Sequence, residues 1–181
     1  MGKLVHLVHQ SLDGYMEGPD GAFDWPAMGP ELSAHSQALT PEGTVFLYGR
    51  KVWEMMAGFW PNAERYSDDP HDLAFAPVWR KAAKVVVSRT LGEAGHGARV
   101  ISADPAAELA ALKAAGHDLV LFGGSVLAER GLVDEHQVVT HPVLLRGGRR
   151  TFPVAPGRTP LTLLEARTFD GRTVLTRHAP A

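Results

Sequence analysis

The chain of 181 residues contains no cysteine. Disulfide scaffolds, thiolate catalysis and thiolate metal sites are therefore excluded. It also lacks an excess of either charge: 18 Lys and Arg stand against 20 Asp and Glu, a net charge of −2. That balance gives no reason to expect a nucleic-acid or anionic-membrane partner, although a local basic patch is compatible with it. No apolar run approaches the roughly 20 residues that cross a bilayer. Met1-Gly2-Lys3-Leu4-Val5-His6 has neither a signal-peptide core nor a myristoylation pattern, so the expected location is the cytoplasm. What is there is ordinary for a folded protein, with 45% hydrophobic and 21% charged residues. The length suits one domain, 1–181, with a sizeable core.

Short β-rich runs alternate with helical stretches, without repeats. Strands are predicted over Lys3–His9, Thr44–Tyr48, Lys84–Ser88, Ala98–Ser102, Asp118–Phe122, Glu135–Leu145, Leu161–Ala166 and Thr173–His178. Leu119-Val120-Leu121-Phe122 is continuously apolar, as suits a central strand covered on both faces. A helix begins near Pro30, with Leu32, His35 and Leu39 on one face. Another is capped by Asp104, carries Pro105 in its first turn, turns Leu109 and Leu112 inward and stops at Gly116. Ser125 can cap a short helix closed by Gly131. After Leu132 strands follow one another through Gly/Pro turns. The expected fold class is α/β: a mixed, mostly parallel sheet of about eight strands, ending in a β-meander, with helices on both faces.

Four segments can carry chemistry. Tyr48-Gly49-Arg50-Lys51-Val52 ends a strand and opens a helix, so free backbone N–H groups stand beside two cations, which is what a phosphate site requires. A bare turn beside solvated basic residues fits equally well. Phe122-Gly123-Gly124-Ser125-Val126-Leu127 joins a buried strand to a helix through paired glycines, which let backbone approach a ligand where a Cβ would collide. It is neither a GxGxxG fingerprint nor a nucleophile elbow, and alone it reads as a tight turn. Val87-Ser88-Arg89-Thr90 delivers hydroxyls and a guanidinium to the sheet edge where ligands bind in open α/β sheets. Arg89 suits a phosphomonoester, such as the 2′-phosphate of NADP, or a surface salt bridge. The loop from Ser11 to Gly21 has the glycines of a lid, whereas Tyr15 rules out a calcium loop. Nine histidines form no metal-ligand pair; His6 and His9, three apart in a strand, face opposite ways. No metal is expected. Trp25, Trp53, Met56 and Trp60 suit either an apolar substrate pocket or core packing.

Taken in order, these segments resemble the dihydrofolate reductase superfamily over nearly the whole chain. The nearest likeness is to its bacterial "dihydrofolate reductase family protein" branch, related to the C-terminal reductase domain of the bifunctional riboflavin-biosynthesis deaminase/reductase. The carriers are Ser11-Leu12-Asp13-Gly14, Tyr48 to Glu54, Val87 to Thr90, Phe122 to Leu127, Gly131 to Glu135, and Gly147-Gly148 leading to Thr151-Phe152-Pro153. The resemblance implies an NADPH-dependent reductase that transfers a hydride to a C=N or C=O group of a small, pterin- or pyrimidine-like heterocycle. The reduction of 5-amino-6-(5-phosphoribosylamino)uracil is among the activities implied.

By the same resemblance, Gly49 to Val52 and Ser88 to Thr90 hold the adenosine-side phosphates. Gly123 to Leu127 hold the pyrophosphate and the nicotinamide side, and the loop carrying Gly14 closes over the ring. The acid of the substrate helix falls at Glu31 when Pro30 is aligned, and at Ser33 when residues are counted back from Gly49. Glu31 and Tyr15 are the candidate proton donors, with water as the alternative. A homodimer and a small-molecule substrate are implied as partners. An NADPH-binding regulatory protein without turnover, and an interaction domain with empty turns, are the rival readings.

Overall fold

The computed structural model describes residues 1–123 and 131–181. All eight expected strands form one sheet. They are β1 (Leu4–Ser11), β3 (Val45–Gly49), β4 (Ala83–Val87), β5 (Arg99–Ile101), β6 (Leu119–Phe122), β7 (Glu135–His141), β9 (Leu161–Phe169) and β10 (Thr173–Pro180). Their order is β5-β4-β3-β6-β1-β7-β10-β9. The six from β5 to β7 are parallel, and β10 runs antiparallel to both of its neighbours. The final strands follow one another as expected, but β10 rather than β9 lies beside β7. The seventh strand stops at His141 rather than Leu145, because Pro142 has no N–H to give the ladder.

Alternation along the strands divides the core. Leu7, Phe46, Tyr48, Val86, Val120 and Phe122 pack on one face against α1 (Pro30–Ala38), α2 (Arg50–Phe59) and α3 (Pro70–Lys81). Leu4, Val45, Leu47, Val85, Leu119 and Leu121 pack on the other, where α4 (Pro105–Ala114) inserts the fully buried Leu109. The α4 cap is the expected one, with the Asp104 carboxylate accepting from the Ala107 N–H at 3.1 Å. The third helix was not expected, yet Asp69-Pro70 opens it as Asp104-Pro105 opens α4: Asp69 accepts from the His71 N–H at 2.8 Å. At its far end the buried Lys84 ammonium donates to the carbonyls of Arg80 and Ala82, satisfying acceptors that a helix end leaves free. Two further short strands, β2 (Tyr15–Glu17) and β8 (Arg149–Arg150), pair as a small separate sheet. Among the described residues no helix is long and apolar enough to cross a membrane.

Candidate functional site

The parallel strands all point their carboxyl ends one way, so Gly49, Ser88 and Gly123 are delivered to the same edge of the sheet. The second helix starts directly at Gly49 with no side-chain cap, leaving its first N–H groups free. Arg50 donates to the Thr90 hydroxyl at 2.8 Å and to Glu54 at 2.7 Å. The structure thus joins Gly49–Val52 to Ser88–Thr90, two segments the sequence separates by some forty positions. Ser88 is buried, and its hydroxyl accepts from the Thr90 and Leu91 N–H groups, holding the turn that presents the exposed Arg89. Lys51 is also exposed.

Gly123 has φ +60°, and a Cβ there would lie 2.8 Å from Met16 Cε and 3.1 Å from Val52 Cγ2. Both the backbone angle and the space demand glycine. Gly123 thus lies against Val52 of the other glycine turn and against Met16 of the loop that follows β1. Gly124, Ser125, Val126 and Leu127 lie outside the described residues.

Two adjoining cavities open beneath this edge. The smaller is walled by Met16, Glu17, Val52, Gly123 and Arg149. The larger, of about 360 Å³, is walled by Met28, Phe59, Trp60, Phe75 and His71, with Asp24 and Asp72 beside them. Leu7, His9, Phe23, Met55, Met56 and Phe122 line both. The volume suits a small flat molecule.

Of the residues expected around the substrate, Met56 lines both cavities and Trp60 the larger one. Trp53 does not: it is 2% exposed, stacks on Trp79 and hydrogen-bonds the Ala94 carbonyl. It is a core residue, because the face of α2 that carries it turns onto the sheet. Trp25 stands behind the cavity wall, edge-on to Phe23 and His141. Glu31 is exposed, and its carboxylate accepts the Asp170 N–H, while Asp170 accepts the N–H groups of Glu31 and Leu32. This reciprocal pairing caps α1 and sets Glu31 apart from the residues that line the two cavities. Tyr15 sits on β2 under the Arg150 guanidinium, 5.2 Å from its ring centre, again outside those linings.

Gly14 takes φ +83° in the turn that follows β1. Beside it, Asp13 accepts from the Ser11 hydroxyl and the N–H groups of Leu145 and Arg146, and these bonds hold its carboxyl below the usual range. The Ser11-Leu12-Asp13-Gly14 motif is thus a clasp between two loops.

His9 is the cavity residue that sequence reading passed over. Its Nδ1 lies 2.9 Å from His141 Nε2, since β1 and β7 pair with His9 opposite Val139 and Ser11 opposite His141. Burial, then the neighbouring His141, pushes the His9 pKa down to about 3. Burial pushes His141 down to about 4. Both rings are neutral near pH 7. No group of side chains suited to a metal ion occurs among the described residues.

A profile described as the RibD C-terminal domain matches residues 3–175. The chain belongs to the RibD C-terminal domain family. The uncharacterized protein YyaP of Bacillus subtilis strain 168 is 32% identical over 177 residues, covering 95% of this chain and 92% of that protein. A putative riboflavin biosynthesis protein from Shewanella sp. PV-4 has the same fold, with TM-score 0.76, 19% identity and 99% of each chain covered. So does the diaminohydroxyphosphoribosylaminopyrimidine deaminase/5-amino-6-(5-phosphoribosylamino)uracil reductase of Thermotoga maritima, with TM-score 0.67 and 14% identity. That alignment covers 99% of this chain and 57% of the other. The fold is therefore the mixed, mostly parallel one expected for the dihydrofolate-reductase-like class.

The loop that walls the smaller cavity is held by one close backbone approach. Gly148 has φ +108°, and a Cβ there would lie 2.0 Å from the Glu17 carbonyl oxygen. Gly148→Ala is expected to cost about 2–3 kcal/mol through strain and overpacking. Because β2 and β8 form their own sheet, the damage should stay local: amide protection is lost between Glu17 and Arg149 while the eight-stranded sheet keeps its own. Hydrogen exchange read residue by residue checks this, and unchanged protection at Glu17 would contradict it.

Proposed function

We propose that this protein is an NADPH-dependent reductase that acts on a small heterocyclic substrate. The observation that carries the reading is the meeting of Gly123, Val52 and Met16, a cradle a Cβ would fill, at a cavity continuous with a larger apolar one. Its family and the reductase named among its structural relatives support the same reading. The residues fit a dinucleotide. The uncapped start of α2, Arg50, Lys51 and Arg89 offer N–H groups and cations to phosphates; Phe122 and Gly123 offer a flat floor for the nicotinamide. When bound, the cofactor would supply a hydride to a C=N or C=O group. The chain's own part is to hold the substrate in the larger cavity between α2 and α3 and to exclude water from it with Phe23, Met55 and Met56.

Thermal melting with NADPH and NADH side by side tests the reading. With micromolar affinity, millimolar NADPH should add roughly 4 kcal/mol of stability. Arg89→Ala should weaken NADPH about tenfold and leave NADH unchanged, as loss of a charge-assisted phosphate contact does. A shift with NADH alone would sink the role of Arg89. NADPH binding without oxidation against flavin, pterin and carbonyl panels would leave a cofactor-sensing protein instead.

A further inference from the structure

The two cavities share His9, and the groups behind it fix what it shows them. Its Nδ1 is engaged by His141 Nε2 at 2.9 Å, so Nε2 is the ring nitrogen left for the cavities it lines. One proton lies between the two rings, and its owner decides whether His9 offers a donor or an acceptor. If His9 donated, His141 would carry its proton on Nδ1. That atom is buried without a partner, and so is the indole Nε1 of Trp25, whose ring meets His141 edge to face at 5.4 Å. Two orphaned N–H donors would then share one dry corner, each costing about 1–3 kcal/mol. If His141 donates from Nε2, its Nδ1 carries a lone pair, and Trp25 Nε1 is the one N–H donor left orphaned in that corner; buried N–H groups are the less readily left unpaired.

We propose that His141 donates to His9 Nδ1, so that His9 presents a neutral Nε2–H to the cavity as the hydrogen-bond donor for the substrate's acceptor atom. The inference rests on the reductase reading above and adds the polar group that orients the substrate. A neutral imidazole N–H can stabilise the charge that gathers on a carbonyl oxygen or imine nitrogen during reduction. It is too weak an acid to surrender its proton, so the proton that completes the product comes from solvent and His9 stays as it was. The substrate is accordingly a flat ring carrying an acceptor heteroatom beside the carbon to be reduced. Its far edge meets Met28, Phe59, Trp60 and Phe75. The titratable groups around His9 are His141 on β7, His35 on α1 and His71 on α3; Asp24 and Asp72 share the larger cavity, and the Glu17–Arg149 ion pair the smaller. The histidine neighbours oppose charging of the ring.

Long-range 1H–15N spectra of 15N-histidine-labelled protein, recorded from about pH 6 to about pH 8, read the tautomer directly. The expected result is a protonated Nε2 and a bare Nδ1 on His9 throughout, and a mixture of tautomers in H141A. A proton on His9 Nδ1, or titration of His9 within that range, overturns the proposal. Lumazine, a neutral bicyclic dione, then serves as the acceptor probe in protein held with NADP+. It should shift the His9 Nε2 resonance and bind about tenfold more weakly to H9A than to H9Q, whose amide N–H replaces the donor. A resonance that lumazine leaves unmoved, whether through absent binding or another pose, overturns the donor role. Melting with NADPH on the same samples reports the cofactor cradle separately. Its failure would remove the reductase reading and leave the tautomer result standing.

Discussion

Acidification from about pH 7 to about pH 5 is expected to remove roughly 5 kcal/mol of folding stability, a large part of what a domain of this size possesses. The cause is the set of histidines buried without charge. Burial, with the neighbouring His136, lowers His6 to about 3; His9 and His141 fall to about 3 and about 4. Burial also lowers His71 and His136.

A folded pKa below the unfolded value means that the unfolded chain binds more protons between the two. The stability is therefore fully present above the ordinary histidine value near 6.5. It is lost as pH falls through it, by about 1.4 kcal/mol per group for each pH unit. The carboxylates act in a different window. Glu135 is held below its usual range by the hydrogen bond from Arg177. Its contribution is present above the ordinary carboxylate value and lost only as pH falls through that region. Urea denaturation at half-unit pH steps checks the expectation, with about three protons taken up on unfolding near pH 5.5. An uptake below one proton there would show that the histidine pairs are solvated in the native state.

The sheet was legible because its strands are long and either apolar or alternating, and Leu119–Phe122 could hardly be anything but central. The small β2–β8 sheet was not, since three residues and two carry no period to detect. The third helix left the same Asp-Pro signature as α4, but Pro77 in its interior interrupted the pattern that would have confirmed it. The turn at Gly123 was readable because its backbone demands glycine, whereas Gly49, with φ −81° and open space around it, marks a turn that other residues could make. Residues whose role depends on a distant partner were opaque. His9 and His141 are 132 positions apart and meet only through the β1–β7 register. Glu31 read as an acid near the site, yet the β9–β10 turn brings Asp170 to it and makes both of them a helix cap. Trp53 stayed open between pocket and core for a related reason: an aromatic beside a glycine turn can face either, and only the rotation of α2 decides which.

That rotation is held by Trp79, and Trp79→Ala is expected to destabilise the protein by about 4 kcal/mol, in the range for deleting a buried indole. Trp79 is 1% exposed. It stacks on Trp53 with ring centres 5.8 Å apart, carries the Lys84 ammonium 4.6 Å above its ring and donates to the Tyr48 hydroxyl at 3.0 Å. Burial pushes the Tyr48 pKa upward, so its hydroxyl stays neutral and loses a donor in the variant. Trp79→Phe keeps a ring against Trp53 but strips the N–H, and should cost only about 1–2 kcal/mol. The two variants also separate packing from function. Trp53 rests on Trp79 and, through the Ala94 carbonyl, holds the loop that follows Ser88–Thr90. Trp79→Ala should therefore weaken nucleotide binding as well, whereas Trp79→Phe should leave it close to wild type. Denaturation curves and nucleotide titrations at a temperature where both variants are folded measure the two effects. If Trp79→Ala bound nucleotide as tightly as wild type, the aromatic stack would be a stability element alone, and Arg50–Thr90 would be holding the loop without it.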